Sequence, residues 1–190
     1  MNIFVLDKDP KLAAQAHCDQ HVLKMILEYA QMLSTAHRIN DGVAYDEVRI
    51  NKKGNKYRIA RWAHPKQELD DVLYLATHYN HPCSKWVRAT RENYLWMFHL
   101  WAELCVEYRV RWQTGRAHGS WTKLKWYLSD PPRNIWRGFM TEWPLAMDDE
   151  YKLNDVVSSY RNFYNQSKSL FATWTFRDIP EWYKESEYVN

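Results

Sequence analysis

The stretch DPKLAAQAHCDQHVLKMILEYAQMLSTAHR, residues 9–38, decides the fold class, because after its second residue it holds neither glycine nor proline. Ala14, Cys18, Val22, Met25, Leu27, Met32, Leu33 and Ala36 return roughly every three or four residues, the spacing of one buried helix face. Asp9-Pro10 reads as an N-cap followed by a first-turn proline, and Asn40-Asp41-Gly42 as the stop. One long helix from Pro10 to about Arg38 is therefore predicted.

Working outward, residues 3–6 (IFVL) form a short apolar run that suits a strand or a buried extended arm. Residues 47–50 and 56–59 alternate around Lys52-Lys53-Gly54-Asn55, which predicts a β-hairpin with a basic tip. Pro65 opens a helix over 66–77. Ser84 is the expected N-cap of a long helix reaching Gln113, and further helices are expected at 120–128 and from Asp148 to Lys168. Residues 133–141 suit a turn or helix, and 171–190 form an aromatic tail. No repeat and no composition shift divides the 190 residues, so the expectation is one mainly α domain over 1–190, a helical bundle with a small β-hairpin.

Composition narrows the class. The chain has 11 Trp and 13 Tyr, enough aromatic area for a dense core with some rings left for stacking on bases or a partner. No apolar run approaches the length of a membrane span. The start, MNIFVLDKDP, lacks the basic segment of a signal peptide. Three widely spaced cysteines (Cys18, Cys83, Cys105) offer no disulfide framework. These features lead to the expectation of a cytoplasmic monomer with no membrane partner. Five glycines and the absence of a phosphate-cradling loop argue against nucleotide-binding classes.

The net charge is only +3, but it is unevenly spread. Segment 47–62 is rich in Lys and Arg against one Glu, and segment 109–137 is similarly basic. The acids gather at 142–155 and near the C-terminus. A basic face interleaved with Tyr57, Trp62, Trp112, Trp121, Trp126 and Trp136 suits an anionic polymer. Lys52, Lys53, Lys56, Arg58, Arg61, Lys85, Arg88, Arg116, Lys123 and Lys125 are the candidate DNA contacts.

Two constellations could carry chemistry. On the first helix His17, His21, Lys24 and Glu28 step by four, three and four, which puts them on one face. If that face is buried, desolvation suits Glu28 to acid/base work and Lys24 to nucleophilic work. The plain alternative is a solvated stripe with an ordinary Lys24–Glu28 pair. His17 with His21, and His78, His81 and Cys83, have spacings that could hold zinc. Core or capping histidines are the simpler reading, and no metal or cofactor is expected.

Asp19-Gln20-His21 followed by Glu28 resembles the first helix of the phage pyrimidine-dimer DNA glycosylases of the endonuclease V type. Tyr79-Asn80-His81-Pro82, Glu103-Leu104-Cys105-Val106-Glu107 and Trp182-Tyr183-Lys184 are similar to a loop, a helix end and a C-terminal motif of that family. The resemblance implies an all-helical DNA glycosylase, with or without AP-lyase activity, acting on a damaged or modified pyrimidine in double-stranded DNA with its base flipped out. In that family an amine attacks the sugar C1′ to form a Schiff base, and a glutamate assists. Carried over, Glu28 is the key carboxylate, His21 and Asp19 support it, and Lys24 or the N-terminal amine is the nucleophile. The chain departs from the family in carrying Asn2 at the second position, and Leu27 and Gln31 where the family has arginines. A non-catalytic DNA-binding phage protein, or an enzyme remodelling modified bases in phage DNA, remains the alternative expectation.

Overall fold

The computed structural model describes residues 1–168 and 170–184. It is mostly helical, with seven α-helices and one two-stranded antiparallel hairpin among the described residues. The helices are α1 (Pro10–Ala16), α2 (Asp19–Asp41), α3 (Gln67–Val72), α4 (Pro82–Val87), α5 (Arg91–Arg111), α6 (Gly119–Leu128) and α7 (Val156–Ser167). The strands are β1 (Val43–Ile50) and β2 (Lys56–Ala63). No described helix is long and apolar enough to cross a membrane.

Helix α2 is the axis of the molecule and packs most extensively on α5. Val22, Met25, Ile26, Tyr29, Leu33 and Ala36 are buried along it against Tyr94, Met97, Leu100, Trp101 and Leu104. Trp101 also donates its indole N–H to the Ile26 carbonyl at 2.9 Å, so its burial leaves no polar atom unpaired. Residues 3–6 are the buried extended arm and pair with no strand. Phe4 donates its amide to the Tyr29 hydroxyl at 3.2 Å.

The predicted single helix over 10–38 is two helices. Asp9 caps α1 through the amides of Lys11 and Leu12, but the chain turns extended at His17 and Cys18. The carboxy-terminal segment stabilises this break. Trp174 donates to the Ala16 carbonyl at 3.1 Å, and the Thr173 carbonyl accepts the Asp19 amide at 2.8 Å. Groups that a continuous helix would bond internally are thus satisfied by residues up to 158 positions away, which no local pattern reveals.

Three further helices are shorter than their patterns suggest. Helix α3 stops at Val72 instead of 77 because the buried Arg38 guanidinium takes the carbonyls of Asp70, Leu73 and Tyr74 at 2.7, 3.0 and 2.8 Å. The expected helix over 84–113 divides into α4 and α5. His81, not Ser84, caps α4 through the Cys83 amide, and Thr90 caps α5 through the Asn93 amide. Asn93 holds the break by donating to the Trp86 carbonyl at 2.9 Å. The expected helix from Asp148 becomes a 3-10 turn, Asp149–Tyr151, and α7, capped by Asp155. Residues 133–141 form a turn and extended chain.

The hairpin is longer than predicted, with Val43 opposite Ala63 and Ile50 opposite Lys56. Asn51 shapes the tip by accepting from the amides of Lys53 and Asn55, and Gly54 supplies a positive φ of 83°. Of the aromatic residues, Trp86, Trp96, Trp101 and Trp174 are buried. Trp112, Trp126, Trp136 and Phe139 are exposed.

Candidate functional site

The buried arm brings the start of the chain against the amino-terminal half of α2. Asn2 is the anchor. Its side-chain N–H donates to the Ala146 carbonyl at 2.9 Å, and its carbonyl accepts from the Tyr160 hydroxyl at 2.9 Å. The Met1 side chain is only 3 % exposed. The α-amine consequently lies 3.7 Å from Glu28 Oε2, while Lys24 Nζ lies 3.5 Å from Oε1. Glu28 is 18 % exposed, so one carboxylate faces two amines at a partly open surface. Lys24 itself stands largely in solvent.

The loop before α4 borders this cluster. Burial holds the His81 imidazole below its ordinary range, assisted by the positive α-amine and His78 and opposed by Glu28. His81 Nδ1 accepts the Cys83 amide at 3.2 Å. Burial pushes the Cys83 thiol up to about 11, so it is no thiolate nucleophile at neutral pH.

Of the four expected catalytic residues the structure brings Lys24 and Glu28 together and gives the other two different work. His21 lies behind the site, stacked on Phe4 at 4.4 Å and hydrogen-bonded through Nδ1 to the Tyr164 hydroxyl. Burial lowers its pKa to about 3, with His17, Lys168 and Lys24 adding to the fall, so it is neutral at physiological pH. Asp19 is a structural clamp. It accepts from Arg111 at 2.8 Å and from the hydroxyls of Thr173 and Thr175. Partial burial works to raise its carboxyl, but these hydrogen bonds outweigh it and hold it below the usual range. Arg111 also binds Glu107 at 3.2 Å and the Gln15 carbonyl at 2.9 Å. Arg177 closes the far side of Glu107 at 2.7 Å. The network ties α1, α2, α5 and the carboxy-terminal segment together.

His17 is not on the α2 face at all, because the helix break removes it. Its Nδ1 bonds the Ala13 carbonyl at 2.7 Å and its Nε2 faces the Tyr29 hydroxyl at 3.4 Å. His78 Nδ1 bonds Thr77 at 2.8 Å. His17, His21 and His81 thus have core or capping partners, while His78 is exposed beside Thr77.

The candidate DNA contacts divide in two. Lys52 and Lys53 project from the hairpin tip, and Lys56, Lys85, Arg116 and Lys123 are exposed. Lys125 is half-buried and lies over the Trp126 ring at 4.8 Å. Arg58 is exposed and reaches Asp46 at 3.5 Å. Arg61 is committed to Glu47 at 2.6 Å, and Arg88 donates to the Tyr79 carbonyl at 2.7 Å, holding the loop before α4.

A cavity of about 660 Å³ lies elsewhere, lined by His37, Asp41, His64, Tyr127, Asp130 and Arg133 among others. Sequence reasoning missed it. The His37–Asp41 spacing of four within α2 was the available signal, but its third member, His64, follows β2 and becomes a neighbour only in the fold. Comparison of the chain with family models, curated proteins and solved structures returns no match.

Proposed function

We propose that the chain is a DNA-acting enzyme that opens the glycosylic bond of a damaged or modified pyrimidine, using Glu28 and an amine beside it. The observation that carries this reading is the Met1 α-amine 3.7 Å from the Glu28 carboxylate, on a chain start anchored by Asn2. An amine nucleophile needs to be held in place and partly unprotonated, and a carboxylate within reach can take and return its proton. The Met1 amine is favoured over Lys24 because the anchored arm holds it in place while Lys24 stands in solvent. The amine attacks the sugar C1′, the bond from C1′ to the base nitrogen breaks, and Glu28 stabilises positive charge on the sugar. The base departs with a proton. The sugar ring then opens at its C1′–O4′ bond, O4′ taking up the remaining amine proton, to leave a Schiff base at C1′, and removal of a C2′ proton from it expels the 3′ phosphate and cleaves the strand.

DNA is the supported substrate because exposed lysines at the hairpin tip and on α4 and α6 can meet phosphates, and Trp126 and Trp136 can stack on bases. The test uses duplexes carrying an abasic site, a pyrimidine dimer or a modified pyrimidine. Wild type is expected to release base or nick at least one, and Glu28→Gln to lose about a hundredfold or more in rate while still binding. Equal cutting by Glu28→Gln, or no product with any of these duplexes, refutes the reading.

A further inference from the structure

We infer that His37, Asp41 and His64 form a binding site for a single divalent transition-metal ion of the zinc class. The inference is independent of the reading of Glu28. The two clusters are nine residues apart on α2, which places them on opposite faces and roughly 13 Å apart along the axis.

The ligand atoms of the three residues lie within 4.8 Å of one another. His37 is 4 % exposed and His64 is 6 % exposed, yet His37 Nδ1 and His64 Nε2 make no well-formed hydrogen bond, the Asp130 carbonyl lying near His37 and Asp41 3.9 Å from His64 Nε2. A buried polar atom without a good hydrogen bond is costly, so two beside one carboxylate suit a shared ligand.

The tautomer of His37 suits ligation. The Tyr94 hydroxyl donates its proton to the Leu128 carbonyl at 2.9 Å, so it must accept from His37 Nε2, also at 2.9 Å. The lone pair is thereby left on Nδ1. Such a second hydrogen bond is how ligating histidines are commonly oriented.

The electrostatics ask for a cation. Asp41 is the last residue of α2, where the helix dipole disfavours a carboxylate. Its oxygens are oriented by the amides of Arg133 and Asn134, both at 2.8 Å, while His64 Nε2 lies 3.9 Å away. Two imidazoles and a carboxylate are a donor set that zinc accepts, with a fourth position left for water or another ligand from the cavity. Tetrahedral coordination needs the ligand atoms to draw in by about 1 Å. His64 follows β2 in a loop with its amide held by Asp70 at 2.7 Å, so the approach falls to its side chain. Its Nδ1 now accepts the Lys66 amide at 3.1 Å, and on metal binding that nitrogen carries the proton while the exposed Lys66 amide turns to water.

Chelator-stripped full-length protein titrated with ZnCl2 in a calorimeter, and with CoCl2 in a spectrophotometer, tests the inference. One equivalent of each is expected to bind, with cobalt developing visible bands. His64→Gln and Asp41→Asn should each weaken zinc binding more than about tenfold, since even changes behind a ligand cost that much. Metal-free circular dichroism establishes that both variants fold. His81→Gln, in the amino-terminal cluster, should bind zinc as wild type does. Absence of stoichiometric binding, unchanged affinity in the folded His64→Gln and Asp41→Asn variants, or loss of binding in His81→Gln instead overturns the site.

Discussion

The two halves of α2 carry polar clusters of opposite design. Near its start, Glu28 meets two amines at a partly open surface, and every charge there has a counter-charge. Near its end, His37 and Asp41 meet His64 in a cavity where two buried nitrogens make no well-formed hydrogen bond. The first arrangement is suited to moving a proton and the second to holding an ion. A third cluster, Asp19–Arg111–Glu107–Arg177, shows what the same residue types do around a buried pair, Arg111 and Glu107: they bind four segments together.

That contrast orders the expected effects. Arg111→Ala should be the most destabilising change, about 3–5 kcal/mol by denaturant unfolding, because it leaves Glu107 and Asp19 with buried charge that has lost a partner. A cost under about 1 kcal/mol would make the network an ordinary surface one.

Acid comes next. His17, His21 and His37 have pKa values lowered by burial to about 4, 3 and 4. Unfolded imidazoles bind protons below about pH 6.5, whereas these three in the folded state do not. Their contribution to stability is therefore complete above that pH and is lost as the pH falls toward the folded values. Each contributes a slope of up to about 1.4 kcal/mol per pH unit, so stability should drop by up to about 4 kcal/mol between pH 6 and pH 5. His37→Gln should remove about a third of that slope. A flat profile over this range would mean that the imidazoles are not sealed.

The amino-terminal cluster should behave in the reverse way, with large effects on rate and small ones on stability. Glu28→Gln should shift unfolding by less than about 1 kcal/mol, within the ordinary range for a site that is not enclosed. Lys24→Ala, at an exposed i, i+4 pair, should change stability by only about 0.3–0.5 kcal/mol.

The sequence makes the mainly helical class and the hairpin legible, because the periodicity over 9–38 and the alternation around Lys52-Lys53-Gly54-Asn55 are local. It misplaces helix ends wherever distant groups complete them: Trp174 and Thr173 at the α1–α2 break, Arg38 at the end of α3, Asn93 between α4 and α5. The site follows the same division. Lys24 and Glu28 sit one turn apart on one helix, and their pairing can be read from spacing. The Met1 amine reaches them through Asn2, Tyr160 and Ala146, contacts that span up to 158 residues. His17 and His21 share the polar stripe in sequence, but the helix break removes His17 from that face and the packing of His21 on Phe4 and Tyr164 takes it inward.

Covalent trapping tests the central claim most directly. The protein is incubated with abasic-site DNA and sodium borohydride, and the adduct is mapped by peptide mass spectrometry. The account predicts a reduced protein–DNA conjugate on the Met1 α-amine, abolished when two residues are added ahead of Met1 and greatly slowed in Glu28→Gln. No conjugate under conditions where a known lyase is trapped, or a conjugate spread over surface lysines and indifferent to Glu28, would contradict it.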